Sequence, residues 1–144
     1  MFNILSGLQE GSHSVMITSR SGPAGLVKGT VVQLTGTSNT IAKSDNSTVG
    51  LGSSIGFIFE DLLSQTSGSY TVVYGVMEAE TDQVSGSPAI GSYLKPGTGA
   101  TAGLLIAASL PGDANLVKGQ VADSYSIAND AQGISTSVYR IVTF

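Results

Sequence analysis

Two stretches decide the fold: Ile55-Gly56-Phe57-Ile58-Phe59-Glu60 and Tyr70-Thr71-Val72-Val73-Tyr74-Gly75-Val76-Met77-Glu78. In the first, Ile55, Phe57 and Phe59 fall on one face of an extended chain, with Gly56 and Ile58 on the other. In the second, Val72, Tyr74 and Val76 alternate with Val73, Gly75 and Met77. A strand that is apolar on both faces has to be covered on both faces. A sandwich, or a barrel under a covering loop, meets that requirement.

The texture is the same in both directions from these runs. Short β-branched and aromatic segments are separated by Gly, Ser, Asn and Pro clusters, which favours strands over helices. Strands are expected at 14–18, 29–35, 55–60, 70–78, 91–95, 116–124 and 138–144. The segment Ala102-Gly103-Leu104-Leu105-Ile106-Ala107-Ala108-Ser109-Leu110 reads equally as two helical turns or as a buried strand, because period does not separate the two at this length. Leu-Val-Lys-Gly occurs at 26–29 and again at 116–119, each time before a β-rich run, and reads as a recurring turn that opens a strand. The expectation is an all-β or mostly β chain. It forms a single β-sandwich or β-barrel-like domain over 14–144, with an extended N-terminal arm at 1–13 and at most short helices.

Composition narrows the function. The chain has 144 residues, enough for one domain with a core of its own. Its 21 Ser, 13 Thr and 19 Gly outnumber the charged residues several-fold, so hydroxyls and backbone make the polar surface. Net charge is −4 and the basic residues never cluster, which argues against nucleic acid as a partner. With no Cys and one His, a zinc site has almost no ligands to draw on. No apolar run approaches the ~20 residues needed to span a bilayer, so no membrane partner is expected. The first residues lack the basic and apolar regions of a secretory signal.

The candidates for chemistry are few. A Ser–His–acid triad would have to use His13, which sits in a Gly-Ser-rich loop, and no G-x-S-x-G elbow accompanies it. Glu78, Glu80 and Asp82 share a face at strand spacing. That pattern reads first as a solvated strand end and second as a weak candidate for a divalent cation such as Ca²⁺. The glycine-rich stretch Gly97-Thr98-Gly99-Ala100-Thr101-Ala102-Gly103 lacks dinucleotide spacing and any βαβ context, and reads as a mobile surface loop. No enzyme activity, cofactor or catalytic residue is expected. Phe2, Ile4, Leu5 and Leu8, followed by Gly11, Ser12 and Ser14, read as a docking arm that adds a strand to a partner; packing back on its own domain is the alternative.

One resemblance adds to this reading. Gly25-Leu26-Val27-Lys28-Gly29-Thr30-Val31-Val32-Gln33-Leu34 is followed by Val49-Gly50-Leu51-Gly52 and by Ile55-Gly56-Phe57-Ile58-Phe59-Glu60-Asp61. Tyr70–Gly75 then leads to Ala89-Ile90-Gly91-Ser92-Tyr93-Leu94-Lys95-Pro96-Gly97. This order of glycines and β-branched residues resembles the small capsid decoration (cement) and head structural proteins of tailed bacteriophages, over about residues 20–105. The resemblance implies a β-rich virion protein on the outer surface of a capsid. There it binds the major capsid protein and itself, as a homotrimer, and reinforces the shell. The pattern marks turns and strands only, so no functional residue carries over. Other readings are a tail, fibre or baseplate subunit, or a carbohydrate-binding β-sandwich, although the latter needs exposed aromatics and Trp is absent.

Overall fold

The computed structural model describes residues 1–6, 15–45, 55–60, 68–129 and 134–144. Its strands are β1 (Phe2–Ser6), β2 (Val15–Gly22), β3 (Val31–Leu34), β4 (Ile41–Lys43), β5 (Ile55–Ile58), β6 (Gly68–Gly75), β7 (Glu78–Thr81), β8 (Tyr93–Pro96), β9 (Leu105–Ala107), β10 (Gly119–Asn129) and β11 (Ile134–Thr143). Among the described residues the only helical pieces are 3-10 turns at Gly99–Thr101 and Ala114–Leu116. The fold is all-β and sandwich-like. A six-stranded sheet runs β1-β7-β11-β10-β8-β9 and a five-stranded sheet runs β2-β6-β5-β3-β4, with every strand pair antiparallel.

The double-faced strands explain the architecture. The outermost strands of the five-stranded sheet, β2 and β4, touch at a parallel bridge between Ser21 and Thr40, where Ser21 N–H donates to the Asn39 carbonyl at 2.9 Å. The sheet is therefore curled almost shut. It encloses Leu26, Val32, Ile41, Ile58, Tyr70, Val72 and Tyr74. The other faces of the same strands send Val31, Phe57 and Val73 into a second core, against Ala79, Leu94, Leu105, Val121, Tyr139 and Ile141 of the six-stranded sheet. The requirement read from 55–60 and 70–78 is thus met by two separate cores, one on each side of β5 and β6. The far edge of the six-stranded sheet also turns back. Leu105 bridges Val84 in parallel, taking a bond from Ser85 N–H at 2.9 Å and giving one to the Gln83 carbonyl at 3.0 Å.

Two glycines make this possible. At Gly56 a Cβ would lie 2.7 Å from side-chain carbons of both Tyr74 and Val72, so only glycine lets those side chains lie on the β5 backbone. Gly75 has φ 128°, a conformation side chains disfavour. There the expected single strand 70–78 breaks into β6 and β7, which belong to different sheets. The break is held by Thr143, whose hydroxyl donates to the Gly75 carbonyl at 2.7 Å and accepts from Met77 N–H at 3.0 Å.

Some expectations change. The N-terminal segment is not a free arm over its described part. Phe2–Ser6 forms β1, pairs with β7 and belongs to the sheet. Phe2 is 0% exposed and stacks on Phe57 with ring centroids 5.1 Å apart. Ile4 packs on the same core, and Leu5 is exposed. Leu8 lies outside the described residues. The segment 102–110 forms the short strand β9 rather than a helix. The two Leu-Val-Lys-Gly copies differ physically. Gly29 turns the chain at φ 90°, whereas Gly119 starts β10 where a Cβ would sit 2.9 Å from the Val142 carbonyl oxygen.

Candidate docking surface

β10 and β11 form the longest antiparallel ladder among the described residues, with Cα partners from Gly119↔Thr143 to Asn129↔Ile134. Its base is built into the body. β8 pairs with β10 only at Gly119 and Gln120, and β7 pairs with β11 only from Tyr139 to Val142. A bulge between Val121 and Asp123 interrupts the ladder within this base, which ends at Ser124↔Tyr139. Beyond it, the rungs from Tyr125↔Val138 to Asn129↔Ile134 have no other strand beside them among the described residues. At ~3.4 Å per residue this ribbon projects about 15 Å.

The ribbon's side chains are uncharged, and many are small. Ser124, Ser126, Ala128, Ser135, Thr136 and Ser137 are all exposed, and Ile127 is 45% exposed. Val138 at the root is fully buried. Exposed edges are ordinarily blunted by charge, proline or a bulge, and an isolated two-stranded hairpin is marginal in water. From Ser124 to Asn129 and from Ile134 to Tyr139 there is neither charge nor proline. Asp123 stands at the boundary, and its Oδ1 accepts from Ser124 N–H at 2.8 Å. The sequence expectation ended these strands at 124 and began them at 138, because a Ser/Thr/Ala ladder offers no apolar contrast. The alternation of Tyr125 and Ile127 with Ser124, Ser126 and Ala128 was the available signal.

The acidic trio does not assemble as a cation cage. Arg140, opposite Glu80 on β11, lies 3.3 Å from Glu80 Oε1 through Nη2 and 3.9 Å from Glu78 Oε1 through Nε. Asp82 lies beyond β7 and accepts from the α-ammonium of Met1 at 2.9 Å and from Gln83 Nε2 at 2.9 Å. Burial pushes the Asp82 carboxyl up, but these bonds outweigh it and hold it below its ordinary value. Burial raises the Tyr125 phenol, and its hydrogen bond to Glu80 adds to the rise. Among the described residues no group of three or more acidic or histidine side chains converges to hold a metal.

The remaining candidates are also structural. The glycine-rich stretch is an ordered turn: Thr101 Oγ1 accepts from Thr98 N–H at 3.0 Å and donates to the Thr98 carbonyl at 2.9 Å. Gly103 N–H donates to the Ser44 carbonyl, and Val31 N–H donates to the Gly103 carbonyl, which sews the turn to β3. Lys95 Nζ donates to Asp113 Oδ2 at 2.8 Å, and this bond, together with one from Ser109 N–H, holds the Asp113 carboxyl below its ordinary value. Within the curled sheet, the Arg20 guanidinium sits 5.9 Å from the Tyr74 ring centroid and donates to Asn39 Oδ1 at 2.8 Å. His13 lies outside the described residues. Among the described residues no helix is long and apolar enough to cross a membrane. No protein-family model, curated protein or solved structure matches this chain.

Proposed function

We propose that this chain is a structural virion protein that binds the outside of a bacteriophage capsid and stabilises the shell, as a homotrimeric decoration protein whose partner is the major capsid protein. The observation that carries this reading is the projecting ribbon of β10 and β11, whose uncharged edges have no other strand beside them among the described residues and would gain burial under a partner chain. The glycine and β-branched pattern from Gly25 to Gly97 supplies the capsid context through its resemblance to decoration proteins. A body with two cores and a hydroxyl-rich surface suits a protein that acts by being present and folded. Absence of Cys removes thiol oxidation as a route to damage outside a cell.

The test is to image purified virus particles by cryo-electron microscopy and to assay them for this chain. The expected result is regular density on the head, in fixed ratio to the major capsid protein, and particles lacking the chain that break at lower temperature. Density on a tail or baseplate, or absence from particles, overturns the reading.

A further inference from the structure

We infer that the β10 edge of the ribbon pairs with the free edge of β2 in a second copy of this chain. This goes beyond the shell reading and does not depend on it, because the contact joins two copies without any capsid. The direction of the backbone groups carries the argument. Ser21 N–H points away from β6 toward Asn39, so the alternate residues Val15, Ile17 and Ser19 also point their N–H and C=O groups to the outer edge of β2. Beyond the Ser21 bridge, that edge has no strand beside it among the described residues.

On the ribbon, Phe144 N–H points toward β10, donating to the Lys118 carbonyl, and Thr143 N–H points toward β7. By alternation Arg140, Val138 and Thr136 face β10, so their partners Asp123, Tyr125 and Ile127 face β11. Ser124, Ser126 and Ala128 therefore point outward. The Ser124 N–H is already taken by Asp123, so the free run begins at Ser126. The two edges match in parity, charge and apolar content. An antiparallel register with Ile17 opposite Ser126 puts Val15 opposite Ala128 and Met16 opposite Ile127. Met16 is 55% exposed and Ile127 45% exposed, and each would cover the other. Neither edge carries a charge from Val15 to Ser19 or from Ser124 to Asn129, so the −4 net charge of each copy is kept out of the contact. The two surfaces are different, which makes the contact heterologous.

The experiment is light scattering with analytical ultracentrifugation on the full chain, followed by two variants. Ser126→Pro removes an outward N–H without removing a bond of the hairpin. Met16→Lys places a charge on the β2 side. Each variant is expected to weaken self-association by at least about tenfold, with circular dichroism and thermal midpoint unchanged. An equimolar mixture of the two is expected to form a dimer and nothing larger, because each retains the surface the other lacks. A wild-type chain that stays monomeric at high concentration overturns the inference. So does a folded Met16→Lys chain that associates like wild type, or a mixture that stays monomeric. The capsid reading is judged separately, by occupancy on particles.

Discussion

β10 and β11 pass through two environments within one hairpin. At the base, Val121, Tyr139 and Ile141 sit in the core between the sheets, and β7 and β8 flank the pair. Beyond Ser124 and Tyr139, the same two strands are held by a single ladder with no other strand beside it among the described residues, and the side chains from Ser126 to Ala128 and from Ser135 to Ser137 are exposed. The difference teaches where stability and availability separate. Buried backbone opens only with the whole molecule, whereas a ribbon opens by itself. The base gives this protein its fold, and the ribbon's outward backbone groups at Ser126 and Ala128 have no strand beside them among the described residues.

Removing residues 1–6 should have the largest effect, because it strips β1 from β7 and empties the place of Phe2 against Phe57. The expected outcome in a denaturant titration is loss of a cooperative transition, or a drop exceeding that of any single core truncation. A truncated chain with wild-type stability would restore the docking-arm reading. Phe57→Ala should come next, at about 3–5 kcal/mol by urea unfolding, the usual range for an aromatic lost from a core. Acid should act more gently. Asp82 and Asp113 are both held below their ordinary values when folded. Their contribution is full above the unfolded carboxylate value and is lost as pH falls through the lower folded values. Asp82→Asn with Asp113→Asn should therefore flatten the acid limb of a stability–pH profile while leaving the neutral-to-basic limb parallel to wild type. Ile127→Ala should be the smallest, within about 0.5 kcal/mol of wild-type stability, and should still weaken self-association. A large stability loss there would mean that the ribbon is packed rather than projecting.

The parts of the fold legible in the sequence were those with apolar contrast. Phe57 and Ile58, or Val72 and Val73, announce two covered faces because no solvated strand would carry them. The change of sheet at Gly75 was not legible, since Val76 and Met77 continue the alternation across it. β4 was missed because Ile41-Ala42-Lys43 is too short to show a period. Phe2 and Ile4 were visible as apolar residues near a glycine-rich break, but composition does not say whose core they enter. The acidic trio had the spacing of a site. The pairing of Glu78 and Glu80 depends on Arg140, which is 60 residues from Glu80 along the chain and becomes a neighbour only through the β7–β11 register.

That register has a mechanical meaning. β1 and β11 lie on either side of β7, each antiparallel to it and so parallel to one another. Residue 1 is at the Thr81 end of β7, and residue 144 is at the Glu78 end. A tension applied between those two positions runs along the strands and strains both ladders in shear. All their hydrogen bonds share the force and must break together. The same bonds loaded at right angles would unzip one at a time. Stretched between those two positions, the three strands resist as a lap joint does.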